Sequence, residues 1–115
     1  MGTPRPRRRQ RDLAGAAPLF AALGDPARLQ IVGRLCEHGP LPVVRLAEGA
    51  GISRQAISKH LDALSQVGLV HGERHGRERI WRLRPERLDD ARRHLDAIAA
   101  RWDEGLSRLR AMVEG

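Results

Sequence analysis

Residues Ser53 to Val67, reading SRQAISKHLDALSQV, constrain the fold of this chain more than any other stretch. Ser53 can cap a helix N-terminus, its hydroxyl accepting a hydrogen bond from an otherwise unpaired backbone N–H. Ile57, Leu61 and Leu64 then recur at helical spacing and form one inward stripe. At ~100° per residue, Gln55, Lys59, Asp62 and Gln66 fall on the opposite face, with Arg54 and Ser58 at its edges. Glutamine, lysine, arginine and serine are side chains that read base edges or grip phosphates. The preceding segment, VVRLAEGAGI (Val43 to Ile52), is short, apolar and glycine-terminated. The pair therefore reads as two short helices joined by a tight turn, the second presenting a polar face to DNA.

Size limits what can surround this unit. The chain has 115 residues, enough for one small domain. Hydrophobic residues make up 41% but aromatics only 3%, so the core is expected to be aliphatic. A core of this size is marginal alone, which makes burial against a second copy plausible. The net charge of +7 suits a polyanionic partner, although an anionic membrane would attract it equally. Every basic residue except Lys59 is arginine, which favours bidentate phosphate or guanine contacts; a GC-rich genome would produce the same bias. Cys36 is a lone cysteine and cannot form an intrachain disulfide, so nothing argues for export. The start superficially resembles a signal peptide, but Pro18 interrupts its apolar run. No apolar run approaches the ~18 residues of a membrane span, and the cytoplasm is the expected compartment.

Residues 1–12 hold five arginines and two prolines with almost nothing apolar, and read as a disordered basic arm. Such an arm can reach phosphates or simply remain solvated. The domain is expected over 13–115. A first helix is expected from Leu13 to Leu23, closed by Gly24; Asp25 and Pro26 restart a second. Leu29, Ile31, Val32, Leu35 and Cys36 give that second helix its spacing, and Gly39–Pro40 end it. A third helix is expected from Pro42 to Gly49–Gly51, and the fourth is closed by Gly68. The period then changes. Leu69 to His75 and Glu78 to Leu83 are short segments joined through Gly76–Arg77, a hairpin signal. Trp81 and Leu83 share one face of the second strand, towards the helices. Arg74, Arg77 and Arg79 crowd the tip, which suits a wing lying along a DNA backbone or entering a minor groove, beside the plainer reading of a solvated hairpin end. From Pro85 the chain reads as one long helix, whose Leu88, Ala91, Leu95, Ile98, Trp102, Gly105, Leu109 and Met112 alternate in steps of three and four. That stripe is too long for its own headpiece, and either a partner helix covers it or the helix folds back. The expected class is mainly α with a small β-hairpin, in the order α-α-α-α-β-β-α.

Three segments, FAALGDPARLQIVGRL (Phe20 to Leu35), SRQAISKHLDALSQVGLV (Ser53 to Val70) and GRERIWRL (Gly76 to Leu83), make the chain resemble the ArsR/SmtB family of bacterial winged helix-turn-helix repressors. The resemblance covers roughly Leu19 to Met112. It implies a homodimer joined by its first and last helices (13–23 and 86–113), with Leu19, Leu23, Leu95, Ile98, Trp102 and Leu109 at the interface. It also implies that two reader helices enter successive major grooves of an inverted-repeat operator in double-stranded DNA on the bacterial nucleoid. On that reading Lys59 and Arg54 meet guanine or phosphate, Gln55 meets adenine, and Ser53 and Ser58 meet phosphate or bases. His60 borders the apolar stripe and supports packing or a phosphate, while Arg74, Arg77 and Arg79 hold the flanking backbone.

The family's best known members sense metals, and here the chain departs from them. The stretch Val44 to Glu48 carries no Cys-x-Cys pair. The last helix offers Asp90, His94, Asp96, Asp103 and Glu104 without the second histidine that the family's other site needs. The chain is closer to the non-metal branch, no cofactor is expected, and the effector is not legible. Cys36 is expected to be a buried small hydrophobe, and His38, His71 and His75 surface or wing residues. No nucleophile–base pairing or phosphate-cradling glycine loop points to an enzyme. A DNA binder without sequence preference, a metal-responsive repressor with an atypical site, and a protein-interaction module built on the long helix remain alternatives.

Overall fold

The computed structural model describes residues 15–114 of the chain. The basic arm expected at 1–12, and Leu13 at the expected start of the first helix, lie outside the described residues. Helix α1, described over 15–23, turns Ala16, Leu19 and Ala22 into the interior at helical spacing. Asp25 then caps α2 (Pro26–His38), its Oδ1 accepting from the N–H of Ala27 at 2.8 Å and of Arg28 at 3.2 Å. Foremost the N–H of Arg28, and after it that of Ala27, hold the Asp25 carboxyl below the usual carboxylate range; the nearby His60 adds to the effect. Helix α2 buries Ile31, Val32 and Leu35 and ends at Gly39, whose φ of 78° lies in the left-handed region that favours glycine.

Leu41–Pro42 form a two-residue strand, β1, which the sequence reading missed. Pro42 was expected to open a helix; instead it closes this strand and precedes α3 (Val43–Ala47). The third helix is also shorter than expected, because Glu48 adopts an extended conformation (φ −60°, ψ 119°) and ends it. Arg34 reaches across from α2 and donates to the carbonyls of Leu46 at 2.8 Å and Arg45 at 3.3 Å, so the abrupt end of α3 has a side-chain partner. Helix α4 (Arg54–Gln66) is capped by Ser53, whose Oγ accepts from Ala56 N at 3.1 Å, and buries Ile57, Leu61 and Leu64.

Strands β2 (Val70–His75) and β3 (Glu78–Leu83) pair antiparallel around Gly76–Arg77, with Gly72 opposite Trp81 and Arg74 opposite Arg79. Strand β1 pairs with the other edge of β3, giving the sheet order β1-β3-β2. The strands β1 and β3 therefore tie the helix-turn-helix to the hairpin. Leu19, Leu46, Ile57, Leu61, Leu64, Leu69 and Val70 are fully buried, and Trp81 closes the aliphatic core from the sheet side. Helix α5 (Pro85–Glu114) leaves this body. Arg87 Nε donates to Val67 O at 2.8 Å, Leu88 and Ala91 pack on the core, and His94 meets the Phe20 ring edge-on at 6.5 Å. Beyond that point the helix is exposed apart from half-buried Gly105 and Leu106.

Two expectations are corrected here. Leu19 was placed at a subunit interface, yet it is wholly buried within its own chain. It shares the inward stripe of α1 with Ala16 and Ala22, and so is not available to a partner. Leu23, its expected companion, is half-buried against the same core. Cys36 was expected inside and is exposed, because it falls ~40° beyond the inward arc of α2 set by Ile31, Leu35 and Val32. No helix among the described residues is long and apolar enough to cross a membrane.

Candidate nucleic-acid interface

The inward stripe of α4 fixes what its other side presents. With Ile57, Leu61 and Leu64 buried, Arg54, Gln55, Lys59, Asp62 and Gln66 are exposed along the outer face. Ser53 is exposed as well; its oxygen accepts the capping N–H, leaving the hydroxyl proton for an outside acceptor. Ser58 is half-buried at the edge of the face, and half-buried His60 sits on its flank, where it is one of the charges lowering the Asp25 pKa. The structure thus brings the polar residues of α4 together as the helical period requires. Leu69 N donates to Leu64 O at 3.0 Å, and this short turn seats β2 directly against the end of α4.

The hairpin has two chemically different faces. Alternation places Val70, Gly72 and Arg74 with Arg79, Trp81 and Leu83 on the side that also packs on the core. Towards the tip this side is purely basic: Arg74 and Arg79 face each other across the strands, and Arg77 occupies the turn. The other side carries Glu73, joined by His71 Nε2 to Oε1 at 3.0 Å, by His75 Nε2 to Oε2 at 3.5 Å, and by Arg82 Nε to Oε2 at 3.4 Å. The hydrogen bond from His71, foremost, and then the Arg82 charge hold the Glu73 carboxyl below its usual range. The carboxylates of the hairpin, Glu73 and Glu78, thus lie on the strand face opposite Arg74 and Arg79.

Sequence reasoning missed the Glu73 cluster, although the spacing of His71, Glu73 and His75 at alternate positions of one strand was a usable signal. It also missed the surroundings of Arg79, whose guanidinium carbon stands 4.9 Å from the centroid of the Trp81 ring. Of the candidate ligands on the last helix, Asp90 pairs with Arg87 and Arg93 and His94 faces Phe20, while Asp96, Asp103 and Glu104 form no ion pair among the described residues. Along α5, Leu95, Ile98, Trp102, Leu109 and Met112 are 54%, 47%, 66%, 58% and 78% exposed, so the apolar seam is largely uncovered within one chain.

A capped helix-turn-helix joined through a three-stranded sheet to a basic hairpin defines a winged helix-turn-helix DNA-binding domain. Residues 23–73 match the helix-turn-helix domain family. The HTH-type transcriptional regulator NmtR of Mycobacterium tuberculosis is 43% identical over 70 residues, covering 61% of this chain and 58% of its own length. The HTH-type transcriptional regulator Rv2034 of the same organism is 40% identical over 90 residues, covering 78% of this chain and 83% of its own length. Among solved structures, an ArsR-like transcriptional regulator from Rhodococcus sp. RHA1 superposes with a TM-score of 0.73 at 37% identity, over 87% of this chain and 93% of that one. The homodimeric winged helix-turn-helix DNA-binding domain of Mb0332 from Mycobacterium bovis gives 0.61 at 32% identity, over 76% and 80%. The chain belongs to the ArsR/SmtB family of winged helix-turn-helix transcriptional regulators, DNA-binding proteins rather than enzymes.

Proposed function

We propose that this chain is a homodimeric repressor that binds an inverted-repeat operator in double-stranded DNA. The observation that carries the reading is the pairing of two exposed polar surfaces. The outer face of α4 offers Arg54, Gln55, Lys59 and Ser58, and the neighbouring hairpin offers Arg74, Arg77 and Arg79 on a face from which its carboxylates are excluded. The first surface has the mixed donor and acceptor groups that read base edges in a major groove; the second has the cations that hold phosphates. Dimerisation is supported by the exposed seam of α5 and by the homodimeric M. bovis neighbour. Two copies would present two reader helices, matching a two-fold operator. Repression would follow from occupying a promoter.

The test is fluorescence anisotropy at physiological salt with the DNA upstream of the chain's own gene and with a scrambled duplex. A preference of ~10³-fold or more is expected of a specific regulator. Equal affinity for both duplexes, repeated with sequences recovered by selection from a random pool, would instead establish a binder without sequence preference.

A further inference from the structure

Gly72 lies in the interior of β2, where a glycine weakens a strand unless something approaches closely. Its backbone gives no reason for glycine: the positive-φ glycines among the described residues are Gly39, Gly49, Gly51, Gly68 and Gly76. Space gives one. A Cβ at position 72 would stand 2.6 Å from Nε of Arg79, and 3.2 Å from both its Cδ and Cγ. The Arg79 stem therefore crosses β2 through the gap that Gly72 leaves, and its guanidinium carbon rests 4.9 Å from the Trp81 centroid. Trp81 is opposite Gly72 in the register, and Arg79 is two residues along the same strand face. Arg79 forms no ion pair among the described residues, and it remains exposed.

We propose that Gly72 and Trp81 form a seat that holds Arg79 in position for a DNA phosphate, which makes Gly72 a positioning residue for binding. The inference rests on the hairpin face read above as a DNA contact. An arginine free in solvent loses much of its rotamer freedom when it grips a phosphate. One already laid over an indole and confined by a glycine gap loses less, while its charge stays unpaired. The ring also favours the cation without neutralising it.

The test is a cycle of G72A, R79A and the double variant, with anisotropy on a mixed-sequence duplex at low salt and a thermal melt of each protein. The added methyl meets the flexible part of a side chain, so G72A is expected to fold and to push Arg79 off its seat. Its affinity should fall about three- to tenfold, the ordering cost of one long side chain. R79A should lose at least as much, and the double variant no more than R79A. A G72A protein that binds as tightly as the native chain would overturn the seat while leaving the DNA-binding face intact. So would losses that simply multiply in the double variant, since Gly72 would then act independently of Arg79. A native chain that fails to bind any duplex at low salt would overturn both readings.

Discussion

Trp102 offers a direct measure of self-association. It is 66% exposed on α5, with Ile98 and Leu109 exposed on the same seam. Of the roughly 250 Å² a tryptophan can bury, that exposure leaves about 165 Å² open to water. A partner helix covering half of it removes about 80 Å² per protomer, worth about 2 kcal/mol at ~25 cal/mol/Å². A two-fold axis counts the contact twice, so W102A should cost about 4 kcal/mol per dimer, or ~10³-fold in the dissociation constant. Ordering costs already paid at the interface reduce this, and a loss of 10²-fold or more is a fair lower expectation, roughly. Alanine is the best helix former, so α5 itself should persist. Sedimentation equilibrium over a wide concentration range measures the constant, with S107A, ~140° around the helix from Trp102, as control. If W102A associates as tightly as S107A, or if the native chain stays monomeric at every concentration, the seam is not the interface.

Two substitutions separate base reading from phosphate gripping. Q55A should lose discrimination at one base pair, by ~1–3 kcal/mol in a substitution scan of the preferred duplex. R77A should weaken every sequence alike and lower the slope of log affinity against log salt by about one; identical profiles for the two variants would remove the assignment. Glu73 gives a pH dependence. Its folded pKa is depressed by His71, foremost, and by Arg82 and His75, so its contribution is present above its ordinary value of 4.5 and lost as pH falls through the lowered folded value. E73Q should therefore melt below the native chain at neutral pH, with the gap closing as pH falls from 4.5 through the lowered folded value, where the native carboxyl protonates. A gap of the same size at neutral pH and in acid strong enough to protonate the native carboxyl would mean that packing rather than charge carries the effect.

How far the sequence disclosed this fold depended on whether a segment was long enough to show a period. Helix α4 did: its cap at Ser53, its stripe of Ile57, Leu61 and Leu64, and its stop near Gly68 all stand as the pattern required. The hairpin strand Glu78–Leu83 did too, because a glycine turn and a change of period bound it. Strand β1 could not, since two residues, one of them proline, have no period. Leu19 shows a different limit. Periodicity finds the apolar face of α1 but does not say whether that face meets its own core or a partner, and here Leu19 is consumed internally. Cys36 was misread because Ile31, Leu35 and Val32 span a ~100° inward arc of α2 and Cys36 falls ~40° beyond its edge. The seat of Arg79 depends on a diagonal contact between strands, which no single segment encodes.

A net charge of +7 makes attraction to DNA easy and says little about selectivity, so the placement of the carboxylates is the more informative quantity. Asp25 caps α2, Glu73 is tied to two histidines and Arg82, and Asp90 is held between Arg87 and Arg93. Each of these acids shapes the scaffold. Arg54, Lys59, Arg74, Arg77 and Arg79, by contrast, form no ion pair among the described residues. Asp62 departs from this division on the proposed surface itself, as an exposed carboxylate on the outer face of α4 between Lys59 and Gln66. Phosphates repel it, and among base edges in the major groove it can accept only from amino groups such as that of cytosine. On the proposed reading it raises the cost of every mismatched duplex while the hairpin arginines supply affinity without regard to sequence. Selectivity would then reside in α4 and grip in the hairpin, two functions that the fold places on adjoining elements but builds from different side chains.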